Sequence, residues 1–333
     1  MPSDRIPTDE SERALANLRV RALAGGPVTG GIRPGGAPFP IATGENGYYG
    51  TPLLKKPVWT WEVPLYFFVG GAAGAAAIIA AAAGLSGRRE RLALSARKVA
   101  AAGGAISAAL LMMDLGRPAR FIYMLRVFKP QSAMSVGSWT LTTFSAASGA
   151  ALLIDLAPAR VRERGLARLA QVGLGAVAAA SGAIMATYTG VLIGATAVPA
   201  WNEQIDLLPA HFAASGVASA AALLNAAGHD DPALNHLGLA AAAVETLVGA
   251  AIETRSGAGS QSLREGLPGA IVRAGGMLSG PVPLVCRAIA QNHSRWRRLG
   301  ITAAIVGSLL TRFGWMAAGR RSIETPRDSL QSM

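Results

Sequence analysis

Long apolar stretches separated by short charged ones set the pattern of this chain. Residues 63–87, 99–113, 130–154, 169–202 and 207–229 contain no Asp, Glu, Lys or Arg. Stretches 232–244, 274–286 and 299–311 are shorter, each prolonged by apolar residues past a single charge. A hydrocarbon core of about 30 Å needs roughly 20 apolar residues in helical form. Eight segments fit, at 64–84, 96–114, 135–157, 167–190, 207–228, 233–253, 268–288 and 299–319. No strand-length alternation runs through them, and lipid offers no partner to an open backbone, so the spans are predicted as helices. They are rich in Ala and Gly rather than Leu, as in Gly70-Gly71-Ala72-Ala73-Gly74 and Ala240 to Ala243. Small residues let helix backbones approach closely. The prediction is an all-α integral membrane protein of about eight transmembrane helices, packed as two four-helix bundles, with a polar N-terminal tail.

The tail, residues 1–60, carries Gly, Pro and scattered charge but no apolar run. It lacks the early apolar region of a secretory signal and reads as an extension, with one short helix expected over Ser11 to Leu23. The helical domain covers 61–320, and 321–333 form a polar C-terminal tail. No repeat at solenoid periods is visible.

Composition agrees: 51% of residues are hydrophobic, 15% are charged, and mean hydropathy is +0.35. Disorder is excluded on that ground. One cysteine, Cys286, leaves no disulfide framework or cysteine metal cluster and reads as a packing residue. A net charge of +12 would suggest nucleic acid in a soluble protein, but the basic residues sit in loops between spans. Short loops on the side opposite the N-tail hold 13 Lys and Arg against 9 on the N-tail side, long tail excluded. That difference favours a cytoplasmic location for the loops around Arg88, Arg160 to Arg168 and Arg295 to Arg298.

The connection from Asp114 to Trp139 carries most of the candidate chemistry. Pro118 suits a first helical turn and Pro130 ends the helix. Between them Phe121, Met124, Leu125 and Phe128 share one face, with Arg120 and Arg126 pointing away, as in a helix lying on a membrane surface. Asp114 stands where a carboxylate opposes the helix dipole, so a partner such as Arg117 or Arg120 is expected. A proton-relay role for Asp114 stands beside that structural one.

Residues 114–139 resemble the membrane subunits of polysulfide reductase and cytochrome-linked nitrite reductase, the NrfD/PsrC type. Trp61-Glu62-Val63-Pro64-Leu65-Tyr66 entering the first span, Tyr188 to Asn202 leaving the fourth, and Leu310 to Arg320 in the last resemble it too. The resemblance covers roughly 60 to 320. It implies a quinone-reactive anchor for the cell (inner) membrane, without haem or metal of its own and not catalytic alone. It also implies an iron–sulfur partner with four clusters, joined to a molybdopterin catalytic subunit, and exchange of electrons with menaquinone or ubiquinone. Tyr188 matches the family's span-four tyrosine, and Tyr66 falls where the polysulfide enzyme has histidine.

From the residues themselves, Tyr66 and Tyr188 both lie at span ends facing the 115–134 side, and a phenol can donate to a quinone carbonyl. Asp114 is the carboxylate nearest by topology, and Arg117 and Arg120 flank the same site. Interface-belt tyrosines are the alternative. Arg120, Arg126 and Lys129 are candidates for partner docking. Inside the spans, Glu245, Glu253, His211 and Arg312 are proton-path candidates; a Glu245–Arg312 ion pair explains two of them equally well. Of four histidines, His229 and His236 fall in or beside a short loop and His293 in a basic loop, which argues against the paired axial ligands of a membrane cytochrome. The rival readings are a multi-span transporter or proton channel, with a helix break hidden in 169–202 near Pro199, and an anchor that binds no quinone.

Overall fold

A computed structural model describes residues 17, 54, 57–117, 119–255, 257, 259–289 and 294–324. The Ser11–Leu23 helix and most of both tails lie outside these residues. Thirteen helical segments are described: α1 Glu62–Leu85, α2 Glu90–Asp114, α3 Ala119–Met124, α4 Ala133–Leu156, α5 Ala159–Arg162, α6 Gly165–Gly194, α7 Pro199–Asn202, α8 Leu208–Ala226, α9 Pro232–Thr254, α10 Ser260–Arg264, α11 Gly266–Ser279, α12 Pro281–Ile289 and α13 Ser294–Glu324. Among the described residues no strand occurs. All eight expected spans coincide with helix. Six are long and apolar enough to cross a membrane: α1, α2, α6, α9, α11 with α12, and α13.

The two remaining long helices, α4 and α8, fall outside that set. α4 carries Ser and Thr whose hydroxyls bond back to its own carbonyls, as Ser138 does to Met134 and Thr142 to Ser138. α8 packs against α1, α6, α9 and α13, so much of its surface meets protein rather than lipid.

Helices α1, α2, α4 and α6 close one ring of contacts, and α8, α9, α11–α12 and α13 close a second. The rings meet where α8 crosses α1 and α6 and where α13 touches α1. Small residues set the close crossings both within the first ring, between α1 and α6, and between the rings, where α8 meets α1. A β-carbon on Gly74 would fall 2.3 Å from the Gly182 carbonyl oxygen, and one on Gly216 would fall 3.0 Å from that of Gly71. Outward positions such as Leu153, Leu166, Leu169 and Leu247 are exposed apolar side chains, suited to lipid.

Three sequence expectations need correction. The 169–202 stretch holds no break near Pro199 within a span: α6 is continuous, and Pro199 instead opens the short α7. The break lies in the seventh span, at Gly280 (φ −108°, ψ −87°), because Pro281 and Pro283 supply no N–H and a residue before proline avoids helical geometry. The surface helix after Asp114 is also shorter than the Pro118–Pro130 interval. The Ser135 hydroxyl accepts from the Lys129 amide (3.0 Å) and donates to the Val127 carbonyl (3.4 Å), pulling that chain onto the start of α4.

Tryptophans close the face that carries α3, α7 and α10, called here the near face. Trp59 stacks on Trp201 at 5.8 Å and 15°. Trp201 is fully buried and donates its indole N–H to the Trp315 carbonyl at 2.7 Å. Glu203 accepts from the Gly259 amide (2.7 Å) and the Ser260 hydroxyl (3.1 Å), tying α7 to α10. Arg255 donates to both carboxylate oxygens of Asp206, at 2.7 and 2.6 Å.

Candidate functional site

Tyr66 stands one turn into α1, and Tyr188 stands in the last two turns of α6. Both are buried, on helices that pack directly against each other. The fold thus places the two tyrosines that the sequence singled out at the same end of neighbouring helices. Gly70 makes room beside Tyr66 from the α1 side: a β-carbon there would meet Met185 Cε at 2.9 Å, Ser107 Oγ at 3.4 Å and Tyr66 Cε2 at 3.5 Å. Gly137 makes room for Tyr188 from the α4 side, where the ring occupies the space of a missing side chain.

The Ser107 hydroxyl, beside Gly70, is buried without a partner, which is costly unless a ligand or water completes it. Ser107, Gly70, Gly137 and Met185 were not recognised from the sequence. A serine or glycine within an Ala-rich span carries no pattern that separates it from helix packing.

Asp114 is half-buried at the end of α2, beside Glu62 and the Thr60 amide. Among the described residues it forms no ion pair with Arg117 or Arg120, contrary to the pairing expected from the sequence. Arg120 instead donates to the Leu115 carbonyl at 3.4 Å, where a cation meets the negative end of α2. Arg117, Arg120, Arg126 and Lys129 are all exposed on the near face. Ile122, Tyr123, Val127 and Phe128 beside them are exposed and apolar, and Phe128 sets its ring edge-on to Trp139 at 6.2 Å. An apolar cleft of about 350 Å³ opens on this face between Pro57–Trp59 and Thr196–Val198, above Trp201.

The intramembrane candidates divide. His211, Glu245 and Arg312 are buried in the second ring. The sequence allowed a direct Glu245–Arg312 pair; Glu245 instead accepts from Ser279 Oγ at 2.7 Å and lies 3.6 Å from His211 Nδ1. Arg312 donates to the Phe212 carbonyl at 2.8 Å, with its guanidinium carbon 3.7 Å from the Phe212 ring centre. A cation on a ring face gains electrostatic stabilisation that substitutes for a direct counter-ion. Glu253 is separate: it is exposed at the end of α9 and bridges to Arg273 at 2.7 Å.

Among the described residues no group of His, Cys, Asp and Glu is arranged to hold a metal ion. No curated protein matches the chain. The family model NrfD_2, described as polysulfide reductase, matches residues 43–324, which takes in every helix described above. By that match over most of its length, the chain belongs to the NrfD polysulfide reductase family.

Proposed function

We propose that this chain is the quinone-reactive membrane subunit of a multisubunit oxidoreductase in the cell's inner membrane. It exchanges electrons between menaquinone or ubiquinone and an iron–sulfur partner carrying four clusters, itself joined to a molybdopterin catalytic subunit. The observation that carries this reading is the burial of both Tyr66 and Tyr188 toward the near-face ends of two neighbouring helices, α1 and α6, in a chain that matches the family over most of its length.

Interconversion of quinone and quinol moves two electrons and two protons, so the site must supply donors and a route for protons. Tyr188, held in place by Gly137, offers its phenol O–H to a ring carbonyl. Tyr66 offers a second phenol from the neighbouring helix. Ser107 supplies a further unpartnered hydroxyl in the same wall. Asp114, half-buried at the near face, is placed to pass protons between water and these phenols. Arg117 and Arg120 hold the anionic character of the site's rim in check. The exposed Arg120, Arg126 and Lys129 form the landing surface for the partner.

Replacement of Tyr188 by Phe in the assembled complex tests the reading. Quinone-coupled turnover should fall while electron transfer from the catalytic subunit to an artificial acceptor persists. Unchanged quinone-coupled turnover in Tyr188→Phe and Tyr66→Phe would remove both phenols from the mechanism and leave a structural anchor. A transporter or channel has one feature in its favour, the broken seventh span beside a buried carboxylate.

A further inference from the structure

The break in the seventh span sits against a cluster that the tyrosine site does not use. α11 ends at Ser279 and α12 starts at Pro281, and between them Gly280 packs so tightly that a β-carbon would fall 2.8 Å from the Thr246 hydroxyl. One residue before Thr246 is Glu245, 1% exposed. Its Oε1 takes the Ser279 hydroxyl, while Oε2 has no partner; His211 Nδ1 and the Nε and Nη1 of Arg312 also lack one. Each is buried at nine-tenths or more. An unfilled buried polar atom costs about 1–3 kcal/mol, so four in one place are an expensive arrangement for mere packing. Interrupted helices within a membrane are tolerated where they are covered by protein or line an aqueous route.

We propose that Glu245 is a proton-exchanging carboxyl, served from the far face of the membrane and distinct from the tyrosine site. The charged groups facing it are His211 from α8 and Arg312 from α13; Ser279 contributes a hydroxyl and Ser215 its backbone, neither of them charged. Two protonation states are then both accommodated. Ionised, the carboxylate balances the guanidinium of Arg312, which is always charged. Protonated, the carboxyl becomes an O–H donor, and the unpartnered Nδ1 of a neutral His211, 3.6 Å from Oε1, is the acceptor beside it. The proton arrives from water, forms one O–H bond on the carboxyl and leaves by breaking that bond. No electron moves.

Access is one-sided. Toward the near face the cluster is sealed by Phe212, Trp315 and Trp201, all fully buried, with the His211 ring 6.2 Å from that of Trp315. Toward the far face α8 carries Ser215, Ser219 and Asn225 on the same side as His211, along about 21 Å of helix rise. The Ser219 hydroxyl is buried and unpartnered. Beyond it Asn225 meets Arg287 at 3.2 Å and the His229 carbonyl at 2.8 Å, where the chain regains water.

Infrared difference spectra of the full chain in lipid vesicles, without quinone, test this directly. A carbonyl band of a protonated carboxyl should appear and vanish with pH, be lost in Glu245→Gln, and return at a shifted frequency in Glu245→Asp. It should persist in Tyr188→Phe, so failure of the quinone reading would leave it untouched. After a pH jump applied to one side, the band should respond promptly only from the far face, and Ser219→Ala should slow that response. A band absent from the wild type, or surviving in Glu245→Gln, overturns the proposal. An equally prompt response from the near face overturns its one-sidedness.

Discussion

Tyr188 lies so close over Gly137 that a β-carbon at residue 137 would fall 2.1 Å from the phenol Cζ and 2.2 Å from its oxygen. Backbone of α4, rather than a side chain, therefore forms the wall behind the phenol. Gly137→Ala is expected to displace the ring, since overpacking of this kind costs about 1–3 kcal/mol. Quinone-coupled turnover of the assembled complex should drop as far as in Tyr188→Phe, with helical content by circular dichroism unchanged. Full turnover in Gly137→Ala would mean that the position of Tyr188 is immaterial.

The helical spans were legible because they rest on composition over long windows. Charge-free runs such as 63–87 need no knowledge of neighbours to be read as helix. Partner choice was not legible in the same way. Asp114 had Arg117 and Arg120 close in sequence, yet the end of α2 uses Arg120 for the Leu115 carbonyl. Glu245 and Arg312 were rightly placed inside spans, but which atoms they touch depends on where α11 breaks. Gly280-Pro281 announces a break only once the close packing of Thr246 and Gly307 around it is known. Ser107 stayed invisible because one hydroxyl in an alanine-rich helix is compatible with any face.

Arg312 and Glu245 share a buried environment without touching, so their contributions to stability should be coupled. Arg312→Met removes the cation from Phe212 and leaves Glu245 without compensation; loss of one member of a buried charged group costs about 3–5 kcal/mol. Adding Glu245→Gln to that variant should recover a substantial part of the loss. Thermal unfolding in detergent across the four-variant cycle measures it, and strictly additive effects would show that the two charges are independent.

Asp206 and Arg255 give the near face a pH-dependent tie. The two hydrogen bonds from Arg255 hold the Asp206 carboxyl below its ordinary value. A depressed carboxyl contributes stability that is complete above its unfolded value of about 3.9 and fades as pH falls through the lower folded value. The 203–206 loop should therefore stay protected from protease through mildly acidic conditions and loosen only in stronger acid. In Arg255→Gln the loosening should begin at higher pH. The pair is solvent-exposed, so a small effect is expected, and high salt should reduce it further.

Trp201 joins three parts of the near face: it stacks on Trp59, donates to the Trp315 carbonyl and fills the space above Gly319. Trp201→Phe keeps an aromatic ring but deletes the buried donor, leaving the Trp315 carbonyl short of a partner, at a cost of about 1–3 kcal/mol. The melting temperature of the purified chain should fall accordingly. Hydrogen exchange should rise at residues 57–61 and 196–202, the two walls of the cleft, ahead of the spanning helices. Uniform exchange across the chain would mean that Trp201 stabilises the fold generally rather than this face.

Arg120 and Arg126 sit on an exposed rim whose apolar neighbours, Ile122, Tyr123, Val127 and Phe128, suit a membrane surface. Two roles follow from that placement, binding of anionic lipid headgroups and docking of an acidic partner, and they differ in what reversal of charge would disturb. Arg120→Glu with Arg126→Glu leaves the interior of both rings untouched, since neither side chain is buried. If these residues dock the iron–sulfur subunit, the double variant should insert and melt like the wild type but lose copurification of that subunit, and wild-type copurification should weaken with salt. Intact copurification, together with reduced binding of anionic lipid, would assign the rim to the membrane instead.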